Sequence, residues 1–90
     1  MKDARVEFSQ RFVKSLRKAP RKIQIAYRTR LELFLTDKYY PILNNHALTG
    51  KYREYRSINI SGDWRAIFRE FENGNVVYFD FLGTHSKLYK

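Results

Sequence analysis

The sequence predicts an α+β domain: an N-terminal strand, a helical hairpin, then an antiparallel three-stranded meander, in the order β-α-α-β-β-β. Three observations lead there. Residues 10–36 repeat apolar side chains at helical spacing, with a break at Ala19-Pro20. Residues 52–82 instead alternate in the period of a strand. Two turn signals, Ser61-Gly62-Asp63 and Asn73-Gly74, divide that second region into three runs.

Taken in order, Val6 and Phe8 alternate with charges, which suits a first strand over residues 4–8. Ser9 is a natural N-cap, and Phe12, Val13 and Leu16 form an apolar stripe, so residues 10–18 read as a short amphipathic helix. The residue before a proline avoids helical geometry, and proline suits the first turn of a new helix. The first helix therefore ends at Ala19-Pro20. A second runs over about 20–36 on Ile23, Ala26, Tyr27, Leu31, Phe34 and Leu35. Residues 38–50, with Pro41, Asn44-Asn45, His46 and Gly50, read as a long loop, and long loops in small domains are often functional.

Tyr52–Ile60 is the next predicted strand, with Tyr55, Ser57 and Asn59 on one face and Arg56, Ile58 and Ile60 on the other. Trp64–Phe71 and Val76–Leu82 complete the meander, with Val77, Phe79 and Phe81 sharing a face. Gly83 is expected to break the last strand, and Thr84 to cap a final turn carrying Lys87 and Tyr89. The first strand should lie at a sheet edge with both helices on one face. Ile23, Tyr27, Leu31, Phe34, Phe79 and Phe81 are the expected core.

Ninety residues make one domain, spanning 1–90. Aromatic residues at 17% supply core material that a disordered chain lacks. The absence of cysteine excludes a disulfide framework and a thiolate metal site. The first ten residues lack the apolar stretch of a signal peptide, and no apolar run is long enough to span a bilayer, so the expected location is cytoplasmic, with no membrane partner. The net charge of +9 favours a polyanionic or acidic partner. Residues 11–30 carry eight basic side chains and no acidic one. A helix surface of one sign repels itself, so an external partner should supply the negative charge.

The chemistry-bearing residues are few. Neither histidine belongs to a metal-ligand spacing, the glycines form no phosphate loop, and no nucleophile elbow is present; no metal or cofactor is expected. What remains is a metal-free phosphodiester cleaver or a plain binder. RNA carries its own nucleophile, the 2′-hydroxyl, so cleavage needs a base, an acid and cations to stabilise the phosphorane. His46, His85 and Asp63 are candidates for proton transfer, since an imidazole with its ordinary pKa of about 6.5 serves as either acid or base near neutrality. Arg65, Arg56 and Lys51 are candidate cations, with Arg53 and Lys87 as further RNA contacts. Tyr89 could stack on a base or anchor the C-terminal turn.

Three segments resemble a known family. They are His46-Ala47-Leu48-Thr49-Gly50-Lys51-Tyr52-Arg53-Glu54-Tyr55-Arg56, Gly62-Asp63-Trp64-Arg65-Ala66-Ile67-Phe68 and Leu82-Gly83-Thr84-His85-Ser86-Lys87-Leu88-Tyr89. Together, and in this order, they resemble the RelE/ParE toxin superfamily, most closely its YafQ-like mRNA interferases. The resemblance implies the toxin of a bacterial type II toxin–antitoxin pair: an endoribonuclease that enters the 70S ribosome, cuts mRNA there and is inhibited by a cognate antitoxin. It also implies that His46, Asp63 and His85 match positions used for catalysis in YafQ-like members. Tyr89 matches a terminal aromatic near the scissile phosphate, and Arg65 a phosphate-contacting arginine of RelE-like members. Ser57 and Asn59 depart from the pattern, standing where some YafQ-like enzymes have an acidic residue and a histidine. Other branches imply other outcomes: a non-catalytic ParE-like toxin that poisons DNA gyrase, or a degenerate RNA-binding domain. The pattern of His46, Asp63 and His85 favours the nuclease branch.

Overall fold

In the computed structural model, which describes residues 4–89, strand β1 (Arg5–Phe8) leads into helices α1 (Gln10–Lys18) and α2 (Arg21–Thr36). A two-residue strand β2 (His46–Ala47) precedes β3 (Arg56–Ser61), β4 (Trp64–Phe71) and β5 (Val76–Thr84), and a short helix α3 (His85–Leu88) follows. The strands form one sheet in the order β1-β5-β4-β3-β2. The meander β3-β4-β5 is antiparallel, and β1 adds to its edge parallel to β5.

The helices start and stop where local chemistry dictates. The Ser9 side chain accepts the Phe12 N–H at 3.1 Å and caps α1. Ala19 leaves helical geometry directly before Pro20, and α2 begins one residue later. Both helices press apolar faces onto one side of the sheet. Phe79 is the centre of this core: its ring lies 5.5 Å from those of Phe12 and Tyr27, 5.4 Å from Phe68 and 6.0 Å from Phe34. Ile23, Leu43, Ile58, Ile60, Ala66, Val77 and Leu82 complete it.

The structure departs from the sequence reading in five places. The loop of residues 38–50 contains a fifth strand, β2, too short to leave a periodic signature. Tyr52–Tyr55 alternates like a strand but forms turns, and β3 begins only at Arg56. Gly83 does not end β5. It pairs with Arg65, and its missing side chain makes room for Leu88 of α3, whose Cδ2 would lie 3.3 Å from a Cβ there. Leu31 is only half-buried, at the core's margin.

The fifth departure concerns Phe81, which does not share a face with Phe79. Ile67 of β4 pairs with Phe81, yet its neighbour Phe68 pairs with Phe79, so β5 carries one extra residue, a β-bulge. The bulge inverts the alternation. Phe79 points to the helices, whereas Phe81 lies on the opposite face with Tyr52 and Tyr55, at 5.7 Å from each ring. Tyr52, Ile67, Phe81, Leu88 and Tyr89 surround one small apolar space, so this face has its own minor core, roofed by α3.

Asp80, at the bulge, joins the two sides. It is buried, accepts two hydrogen bonds from Arg11 of α1 at 2.9 and 3.1 Å, and a third from the Tyr55 hydroxyl at 2.8 Å. The Arg11 guanidinium also sits 4.2 Å above the Phe81 ring. Burial alone would raise the Asp80 pKa, but these hydrogen bonds outweigh it and hold the carboxyl below its ordinary value.

Candidate active site

On the sheet face away from α2, a cleft of about 190 Å³ is lined by His46, Leu48, Ser57, Arg65, His85 and Tyr89. Four of the five residues read as catalytic from the sequence therefore meet there. The fifth, Asp63, is exposed in the β3–β4 turn and is not among the lining side chains. Its main chain has a part in the site: the Asp63 carbonyl accepts the His85 N–H at 2.7 Å. Gly62, beside it, has φ +56°, a left-handed conformation that glycine adopts without steric penalty.

Each lining group is positioned by nearby structure. His46 sits on β2, directly across from Ser57 of β3. Its Nδ1 lies 2.7 Å from the Asn44 carbonyl, which can only accept, so Nδ1 carries the proton. In the neutral ring, Nε2 is then left with the free lone pair. Asn44 presents that carbonyl from a left-handed turn conformation, φ 47°, that asparagine tolerates. The segment is pinned further by Arg56, whose Nε donates to Asn45 Oδ1 at 2.8 Å, while Asn45 Nδ2 donates to the Lys38 carbonyl at 3.0 Å.

His85 opens α3, which Thr84 caps by accepting the Lys87 N–H. One turn later the Tyr89 ring packs on the imidazole, with centroids 4.6 Å apart. Tyr52 braces Tyr89 edge-on at 6.1 Å, and its hydroxyl reaches the Leu88 carbonyl at 3.5 Å. Arg65 lies opposite Asn59 on β3, and its Nη1 donates to the carbonyls of Gly62 and Trp64 at 2.9 and 3.1 Å.

No carboxylate lines the cleft, so an arginine and two imidazoles set its character. Among the described residues, no group of three or more His, Cys, Asp or Glu side chains could hold a metal ion. The cations singled out for RNA contact are dispersed. Lys51 and Arg53 are exposed beside Tyr52, Arg56 braces Asn45, and Lys87 faces a separate groove against α1. Of the lining residues, Leu48 is not singled out by the sequence, and Ser57 is singled out only as a departure from the family pattern. For Ser57 the signal was available: it shares a strand face with Asn59, opposite the apolar Ile58 and Ile60.

The comparisons with known proteins agree with this architecture. A family model described as the bacterial toxin of a type II toxin–antitoxin system, YafQ, matches residues 4–90. The chain belongs to the YafQ toxin family. No curated protein matches it by sequence. Among solved structures, this YafQ-family chain is similar to YafQ from E. coli strain BL21(DE3), with a TM-score of 0.81 at 19% identity over 97% of this chain and 99% of that one. It is similar as well to the E. coli DinJ–YafQ toxin–antitoxin complex, with a TM-score of 0.78 at 20% identity over 98% and 99%. A YoeB/ParE toxin from Agrobacterium tumefaciens has the same fold, with a TM-score of 0.75 at 11% identity over 90% and 98%. The fold is thus RelE/ParE-like, and the protein is a toxin of a type II toxin–antitoxin system. No helix of the described residues is long and apolar enough to cross a membrane.

Proposed function

We propose that this toxin is a ribosome-dependent mRNA endonuclease that cleaves through the RNA 2′-hydroxyl. One observation carries the reading: His46, His85, Arg65 and Tyr89 line a single cleft. His46 Nε2, with its lone pair free, takes the proton of the 2′-hydroxyl. The 2′-oxygen bonds to phosphorus, the bond from phosphorus to the 5′-oxygen breaks, and protonated His85 gives its proton to the departing 5′-oxygen. The products are a 2′,3′-cyclic phosphate and a 5′-hydroxyl. Arg65 stabilises the charge that develops on the phosphorane, and a cation fixed in place before the reaction does so without reorganisation. Tyr89 orients His85 and offers a stacking surface beside the cut. Asp63 acts through its carbonyl, holding the start of α3. Ribosome dependence comes from the likeness to YafQ-like mRNA interferases.

The test is the chemistry of the cut ends. Programmed ribosomes incubated with the toxin should yield mRNA fragments ending in a 2′,3′-cyclic phosphate, and a 2′-deoxy nucleotide at the scissile position should abolish cutting. Cleavage of the 2′-deoxy mRNA would refute the mechanism. Growth arrest without any cutting would favour a gyrase poison instead.

We further propose that a cognate antitoxin covers the basic groove between α1 and α3. The groove, about 470 Å³, is rimmed by Arg11, Lys14, Lys18 and Lys87 and floored by Trp64, Phe81 and Leu82. Lys14, Lys18 and Lys87 form no ion pair among the described residues. A rim with three unpaired lysines over an apolar floor suits an acidic amphipathic segment. Association should weaken with added salt and with Glu substituted at Lys14 and Lys18. Binding unchanged by either would move the antitoxin elsewhere.

A further inference from the structure

Three buried polar side-chain atoms have no hydrogen-bond partner among the described residues: Tyr27 OH, Ser57 Oγ and Asn59 Oδ1. Their settings differ. Tyr27 lies on the helix side, edge-on to Phe12 and Phe79, where no ligand can reach. Ser57 is 1% exposed and lines the cleft, opposite His46 on the neighbouring strand. A buried hydroxyl deprived of water and of any partner raises the free energy of the folded state. A ligand that pairs with it on binding removes that penalty. A hydroxyl can donate or accept, and the company it keeps decides which. Arg65 and two imidazoles share the cleft and no carboxylate does, so the fitting partner is an anion whose oxygen accepts.

We infer that Ser57 Oγ donates a hydrogen bond to a non-bridging oxygen of the scissile phosphate, making Ser57 a substrate-binding residue of the cleft. The inference deepens the nuclease reading and rests on it for the identity of the anion. A neutral hydroxyl can donate to a phosphate oxygen, which an ionised carboxylate at this strand position cannot do. Ser57 then anchors the phosphate on the β3 side while Arg65 approaches from β4, which leaves the His46 and His85 sides open for the entering and leaving oxygens. Ser57 moves no proton in this scheme; it holds the phosphorus in line between the two imidazoles.

The experiment uses the intact toxin and inorganic phosphate, titrated by NMR, with Ser57→Ala and Tyr27→Phe as variants and thermal unfolding as a second readout. Ser57→Ala should weaken phosphate binding about tenfold, the size of one lost hydrogen bond to a charged group. Its melting temperature should equal or exceed that of the wild type, because an unpartnered hydroxyl has been removed. Tyr27→Phe should match it in stability and leave phosphate binding unchanged. Phosphate affinity unaffected by Ser57→Ala overturns the inference. So does a melting temperature lowered by several degrees, which would mean that the hydroxyl already holds the fold together. Neither readout requires cleavage. A toxin that binds phosphate through Ser57 yet never cuts RNA would remove the nuclease reading and leave the anion subsite standing.

Discussion

The two faces of the sheet are built on opposite terms. On the helix side, Phe79 is ringed by Phe12, Tyr27, Phe34 and Phe68, and Ile58, Ile60 and Val77 fill the gaps. On the other side, apolar packing stops at the patch under α3, and beyond it lie His46, Ser57, Arg65 and His85. The comparison teaches a division of labour in a chain too small to hold two full cores, with a main core on one face and only a minor one on the other. One face supplies the stability, which leaves the other free to carry groups that contribute little to folding. The bulge at Asp80 allows one strand to serve both, because it turns Phe79 inward and Phe81 outward.

Substitutions break this comparison in a graded way. The largest stability effect should come from Phe79→Ala, at about 3–5 kcal/mol, much of the reserve of a small domain. Chemical denaturation should register that loss, while cleavage per folded molecule stays unchanged. Phe81→Ala should invert the pattern. Phe81 is half-buried, so its loss should cost only about 1–2 kcal/mol. The same change loosens Tyr52, and through it Tyr89, so single-turnover cleavage should slow severalfold. Equal stability losses at the two positions would mean that the faces do not differ as described.

Asp80→Asn should cost about 1.5–3 kcal/mol, the range for hydrogen bonds to a charged group. The figure stays below that of a fully buried ion pair because Arg11 is largely exposed and regains water when freed. The pH dependence follows from the sign of the shift. A carboxyl held below its unfolded value adds stability that is complete above about pH 5 and fades as the pH falls through about 3.9 and then through the lower folded value. Urea midpoints measured across that range should fall more steeply for the wild type than for Asp80→Asn. Ser9→Ala, which removes the α1 cap together with the Ser9 Oγ hydrogen bond to the Asp80 carbonyl, should cost about 1–2 kcal/mol by the same assay and leave the cleft intact.

Local signals were legible in the sequence, and tertiary ones were not. The bounds of α1 follow from Ser9, the Phe12-Val13-Leu16 stripe and Pro20, and those of β4 from its flanking turns; both match the structure. The Phe79/Phe81 inversion was hidden because a bulge leaves composition untouched and shifts only the pairing. Strand β2 was hidden because two residues cannot display a period. Tyr52–Tyr55 misled because aromatic residues alternate as well in consecutive turns as in a strand. At the site, His46, Arg65, His85 and Tyr89 stood out by residue type and segment, and the fold brings their side chains to one cleft. Asp63 stood out by the same logic, yet its turn leaves the carboxylate outside the lining and commits the carbonyl to His85. Ser57 looked like a mere departure from a family pattern. Its burial without a partner is a property of the folded chain alone.

The central claim is that two histidines on the open face transfer protons while the opposite face does the folding. Single-turnover cleavage of mRNA on programmed ribosomes tests it most directly, comparing wild type with His46→Ala and His85→Ala. Both side chains are exposed, so neither substitution should shift the unfolding transition appreciably. Each should slow cleavage by about 10²–10⁴-fold, the usual loss for a proton-transfer group. If both folded variants cut within about tenfold of the wild-type rate, the histidines are not the acid and base of this site.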